Sequence, residues 1–179
     1  QVHAAPGHNP HAVLLFQPDT RTLISGDALW ENGFGVVFPE LDGHSGFDEV
    51  AATLDVIEQL APAVVIPGHG GVFADVPAAL ARARTRLGGF VQNPQRHLRH
   101  AAKVLIKYHL MEERAQDHAD LLAWALATPL LSRTQASAGI GGYAIVVIPR
   151  CVTHDVDVRA VLEADARASL YPELVHQRH

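Results

Sequence analysis

Three short loops within residues 5–71 decide how this chain is read: Pro6-Gly7-His8-Asn9-Pro10, Ser25-Gly26-Asp27-Ala28 and Pro67-Gly68-His69-Gly70-Gly71. Each follows a hydrophobic run, and each sets a metal-ligating side chain beside glycine, which lets the backbone turn sharply and lets a cation approach closely. Two imidazoles and one carboxylate on strand ends are the raw material of a zinc or iron centre. They do not complete one.

The runs between these loops give the fold class. Residues 12–16 (AVLLF) are short, continuous and bounded by turn formers, as a buried strand should be. Gln17-Pro18-Asp19-Thr20 supplies a turn, and residues 21–25 return as a second strand ending at Asp27. Residues 30–46 carry Trp30, Phe34 and Phe38 among glycines and read as a structured loop. Val50, Leu54, Ile57 and Leu60 form one apolar stripe, which predicts a helix over 47–60, capped by Ser45 or Asp48 and stopped by Pro62. Val64-Val65-Ile66 is then a buried strand that delivers His69. Ligands at strand ends in a strand–helix–strand order predict an α/β domain. Pro77 opens a further helix that Gly88-Gly89 should end.

A boundary is expected near residue 92, giving units 1–92 and 93–179. Asn93-Pro94 should start a helix to about His109, and a second helix runs from near Asp117 to Ala127, stopped by Pro129. A strand over 141–148 and a helix over 155–170 complete a mainly helical unit, for which a winged-helix-like arrangement would fit.

Composition narrows the class. The chain has 179 residues, 48% hydrophobic and 18% charged, so it is globular rather than disordered. Its longest apolar runs are too short to span a bilayer, and neither a charged leader nor an apolar signal core opens it. A single cysteine, Cys151, excludes an internal disulfide and fits a reducing compartment, so a cytoplasmic location is expected. Cys151 reads as a small core residue, and the absence of a Gly-x-Ser-x-Gly or phosphate loop removes support for serine and nucleotide hydrolases.

Net charge is −5, yet between Val76 and Met111 there is no acid, only Arg82, Arg84, Arg86, Arg96, Arg99, Lys103 and Lys107. Arg96, Arg99, Lys103 and Lys107 recur at helical spacing. They read either as a stripe for nucleic-acid phosphates or, more simply, as a solvated helix face meeting the protein's own acids. Asp117, His118 and Asp120 are explained by helix capping from Asp117.

Taken together, His8 in Ala-Pro-Gly-His-Asn-Pro-His, Asp27 in Ile-Ser-Gly-Asp-Ala-Leu and His69 in Ile-Pro-Gly-His-Gly closely resemble the last three metal motifs of the metallo-β-lactamase superfamily, in the style of its glyoxalase II-like branch. The resemblance covers residues 2–90. It implies a hydrolase in which two metals, usually zinc with iron or manganese as alternatives, activate a bridging water against an ester, thioester, amide or phosphodiester of a small-molecule substrate. By resemblance His8 ligates the first metal, His69 the second, and Asp27 bridges both as the catalytic carboxylate. His11 would stand behind His8, or simply pack in the loop. His44, Trp30 and Phe34 would line the substrate, against the plainer readings of an exposed histidine and of core aromatics.

The superfamily's first motif, His-x-His-x-Asp-His, is absent from this sequence. The resemblance therefore implies the C-terminal half of an αββα sandwich, with three of seven ligands, plus a helical extension. One apolar sheet face should be bare, to be covered by the missing N-terminal half or by self-association. The alternative is a non-catalytic interaction module that binds nucleic acid through the basic helix.

Overall fold

A computed structural model describes residues 1–114, 116–129 and 131. The strand and helix expected at 141–148 and 155–170, and Cys151, lie outside them. By contacts the chain divides into two compact units, 1–101 and 102–179.

The first unit is built on one mixed sheet of four strands in the order β1 (Val2–Ala4), β2 (Val13–Gln17), β3 (Thr22–Gly26) and β4 (Val64–Pro67). β1–β2 and β2–β3 are antiparallel, whereas β3 and β4 are parallel. A parallel pair needs a crossover, and here α1 (Phe38–Leu41) and α2 (Phe47–Leu60) provide it. α3 (Val76–Gln92) follows, and α4 (Pro94–Glu113) carries the chain into the second unit, where α5 (His118–Ala127) lies. This is an α/β fold with a helical C-terminal part.

The period-2 pattern of the strands separates the sheet faces. Leu14, Phe16, Leu23 and Val65 are buried and join Leu54 and Ile57 of α2 and Ala79, Leu80, Ala83 and Leu87 of α3 in one core. On the other face, the partners Val2↔Leu15, Leu15↔Ile24 and Ile24↔Ile66 make a continuous apolar row across all four strands. Every member of that row is exposed, from Ile66 at 39% to Val2 at 69%, with Val13 beside them at 50%.

α2 begins where its stripe predicts, but neither Ser45 nor Asp48 caps it. Glu40 of α1 does: its Oε1 accepts from the N–H groups of Gly46 (2.7 Å) and Phe47 (3.0 Å). α2 ends at Ala61, held in the left-handed region at φ 46° ahead of Pro62. α3 does not stop at Gly88-Gly89. Its buried stripe continues through Leu87 and Phe90, and Gly89 leaves room for Arg96, whose Nη1 a Cβ there would meet at 3.0 Å. The helix ends only before Pro94, where the ring cannot continue it.

In the second unit Ile106, Leu110, Leu121, Ala125 and Leu131 form a small core. Asp117 caps α5 as its sequence implies, accepting from Ala119 (2.9 Å) and Asp120 (3.0 Å). His109 stacks flat on Trp124 at a 3.6 Å centroid distance.

Candidate metal centre

The β1–β2 loop carries His8, and α2 fixes that loop. Gly7 sits at φ +132°, where a Cβ would meet Val50 Cγ2 at 2.6 Å, and the Thr53 hydroxyl donates to Pro6 O (2.9 Å). Asp27 follows β3 just past an irregularity in its register with β4. The turn there is closed by Ala28 N–H to Ser25 O (3.0 Å) and by the buried Ser25 hydroxyl to Leu29 O (2.6 Å). Gly68 at the end of β4 donates to Gly26 O (2.7 Å), and its lack of a side chain lets the His69 loop lie against Asp27, whose Oδ1 a Cβ would meet at 3.0 Å.

These three strand ends bring their side chains together. His8 Nε2 stands 3.3 Å from Asp27 Oδ2, and His69 Nε2 stands 3.6 Å from Asp27 Oδ1. The carboxylate thus faces one imidazole with each oxygen. Trp30 donates its indole N–H to Asp27 Oδ1 (3.1 Å) and sets its ring edge-to-face with His69 at 5.1 Å. Phe38 meets the His8 ring in the same way at 5.2 Å.

The His8 tautomer follows from its partner. Nδ1 lies 2.6 Å from Val36 O, a carbonyl that can only accept, so Nδ1 carries the hydrogen. In the neutral ring Nε2 then presents a bare lone pair to a carboxylate oxygen. Two such groups repel at 3.3 Å unless a proton or a metal cation stands between them. A backbone carbonyl holding the far nitrogen is also the support that metal-bound histidines receive.

Two donors bound to a tetrahedral cation at about 2.1 Å stand about 3.4 Å apart, close to both N···O separations here. Yet among the described residues no group of three or more His, Cys, Asp or Glu side chains is poised around one ion. The arrangement is two donor pairs sharing one carboxylate.

Residues 1–69 match the family model described as the metallo-beta-lactamase superfamily. Over this segment the chain is similar to that superfamily. Solved structures that resemble this chain include a metallo-beta-lactamase family protein from Thermus thermophilus, at 24% identity and a TM-score of 0.42 over 55% of this chain and 32% of that one. Another is the DIM-1 metallo-beta-lactamase exposed to ceftazidime, at 21% identity and a TM-score of 0.39 over 49% and 40%. The chain therefore spans about a third and two fifths of their lengths. No curated protein matches it.

Other residues singled out in the sequence fall variously. Phe34 is 2% exposed and packs edge-to-face with Phe90; it backs a small cavity shared with His8, Asp27 and Val50 rather than lining an open surface. His11 is exposed, and it is its backbone N–H that the loop uses, donating to Asn9 Oδ1 (2.9 Å). His44 is an exposed residue between α1 and α2. Within the basic run, Arg84 pairs with Asp55 (2.7 Å) and Glu58 (2.9 Å), and that pairing raises its pKa. Arg82 donates to Glu31 O (2.8 Å), and Arg86 lies over the rings of Phe34 and Phe90, so both brace residues 31–34 beside the centre.

Two contributors carry no sequence signal. Gly35 donates to Asp27 O (2.8 Å), and a Cβ on it would meet His8 Nδ1 at 2.6 Å and Asp27 Cβ at 2.9 Å. His97 lies 60 residues beyond the loop it holds, accepting from Val37 N–H at 3.1 Å.

Proposed function

We propose that this chain is the C-terminal half of a metal-dependent hydrolase, with His8 and His69 each ligating one cation and Asp27 bridging them. The convergence of both imidazoles on the two oxygens of Asp27 carries this reading. When bound, a zinc pair, or iron or manganese on the same donors, supplies a water-derived nucleophile near neutral pH and stabilises developing oxyanion charge. The chain's own part is to hold the donors: Val36 O fixes the His8 ring, and Trp30 anchors one oxygen of Asp27 while walling His69. An ester, thioester or related bond in a small molecule is the substrate class this reading takes, in the glyoxalase II-like manner.

The exposed apolar row Val2–Leu15–Ile24–Ile66 supports the second part of the proposal. So wide an apolar surface is uncommon on a soluble monomer. It takes a second apolar layer, from an N-terminal half that also supplies the remaining ligands or from a second copy of the chain. Alone, the chain is inactive. The described helices include none long and apolar enough to cross a membrane, and a cytoplasmic location is part of the proposal.

Metal analysis after dialysis tests the first part. Stoichiometric zinc that falls in His69→Ala supports it. No retained metal in either protein favours the alternative, a non-catalytic module. Light scattering tests the second part: concentration-dependent association supports it, and a stable monomer that binds no hydrophobic dye contradicts it.

A further inference from the structure

The C=O of Val36 and the N–H of Val37 belong to one peptide group, and a histidine holds each end of it. His8 Nδ1–H donates to the oxygen (2.6 Å), and His97 Nε2 accepts from the nitrogen (3.1 Å). We propose that His97 is a positioning residue for His8, acting through the Val36–Val37 peptide group. The inference rests on reading His8 as a metal ligand.

The peptide group is rigid, so a plane fixed at its nitrogen end is fixed at its oxygen. An amide whose N–H is engaged also carries a more polarised carbonyl, because hydrogen bonds in a chain strengthen one another. His97 thus sets both where Val36 O points and how strongly it accepts. Val36 O in turn keeps the hydrogen on His8 Nδ1 and leaves Nε2 bare toward Asp27.

The surroundings of His97 suit this role. It is buried, and its ring is set edge-to-face between Phe47 and Phe90, with centroids at 5.2 and 5.1 Å. Burial, aided by the nearby Arg86 charge, lowers its pKa from 6.5 to about 4. At neutral pH the ring is therefore uncharged and keeps an acceptor nitrogen. A histidine that only filled space here would have no need to place that nitrogen on the amide of residue 37. A leucine would fill the site among two phenylalanines without any directional bond.

Nitrogen-15 correlation spectra of the histidine rings in the metal-free chain test the proposal, with His8 and His97 assigned by His8→Gln and His97→Gln. In the wild type, His97 Nε2 should be bare and His8 Nδ1 protonated; a hydrogen on His97 Nε2 would overturn the proposal outright. In His97→Leu the Val37 amide should lose protection from exchange, and the His8 ring should move toward a mixture of tautomers. Zinc affinity should fall about tenfold, the lower range for such supporting partners. His97→Gln, whose amide oxygen can accept from Val37, should restore all three. An unchanged His8 ring in a folded His97→Leu protein would reduce His97 to packing. Should His97→Leu not fold, the wild-type tautomers and the Gln variant decide. Because the rings are read without metal, absence of zinc binding would count against the proposed function and leave the coupling of His97 to His8 standing.

Discussion

Trp30 and Asp27 are joined by a hydrogen bond from the indole N–H to Oδ1 at 3.1 Å, three residues apart on one turn. The same oxygen faces His69, and the same indole walls that imidazole. Trp30 is therefore a brace on the carboxylate and not only an aromatic in a loop. Trp30→Phe keeps the ring and removes the donor. Zinc affinity, measured by calorimetric titration, should drop on the order of tenfold, with little change in the thermal midpoint. An unchanged affinity would show that the indole N–H does no positioning.

Gly35 makes a sharper prediction. Any side chain there enters the space of His8 Nδ1 and Asp27 Cβ. Gly35→Ala should cost about 1–3 kcal/mol, the range for overpacking a filled site, and should displace the His8–Val36 bond. Gly71, where a Cβ would meet nothing and no positive φ is required, is the control. Gly71→Ala should leave urea midpoints and zinc binding within error of the wild type.

The buried His97 gives a pH dependence with a definite sign. Its folded pKa is lowered from 6.5 to about 4, so between these values the unfolded chain binds more protons than the native one. Stability is fully present above pH 6.5, falls as pH drops through the window, and is lower by about 3 kcal/mol below pH 4. Urea unfolding at steps from pH 7 to 4, compared between wild type and His97→Gln, isolates the effect. The wild type should show the steeper fall, and parallel curves would contradict it.

Glu40 replaces the local caps that α2 lacks. Removing both bonds with Glu40→Ala should cost about 1 kcal/mol, as the loss of an N-cap does. Ser45→Ala should cost little, because Ser45 does not cap the helix. Equal losses in chemical denaturation would reverse this assignment.

Much of the site was legible because its pieces are local. Apolar runs bounded by turn formers mark β2, β3 and β4, and the stripe Val50, Leu54, Ile57 marks α2. The three glycine-flanked ligands lie near strand ends, and a parallel β3–β4 pair must bring two of them, Asp27 and His69, side by side. What was not legible depends on partners distant in sequence. Three residues of β1 carry too little pattern to stand out. Glu40 reaches α2 from a separate turn, Gly35 matters only through the His8 ring, and His97 acts across 60 residues. Gly88-Gly89 misleads because the packing of Leu87 and Phe90 outweighs the helix-breaking tendency of glycine.

Anomalous diffraction from zinc-soaked crystals of the chain would measure the central claim directly. Two peaks are predicted, one between His8 Nε2 and Asp27 Oδ2 and one between His69 Nε2 and Asp27 Oδ1. Zinc bound only elsewhere, with these three side chains still in place, would contradict it.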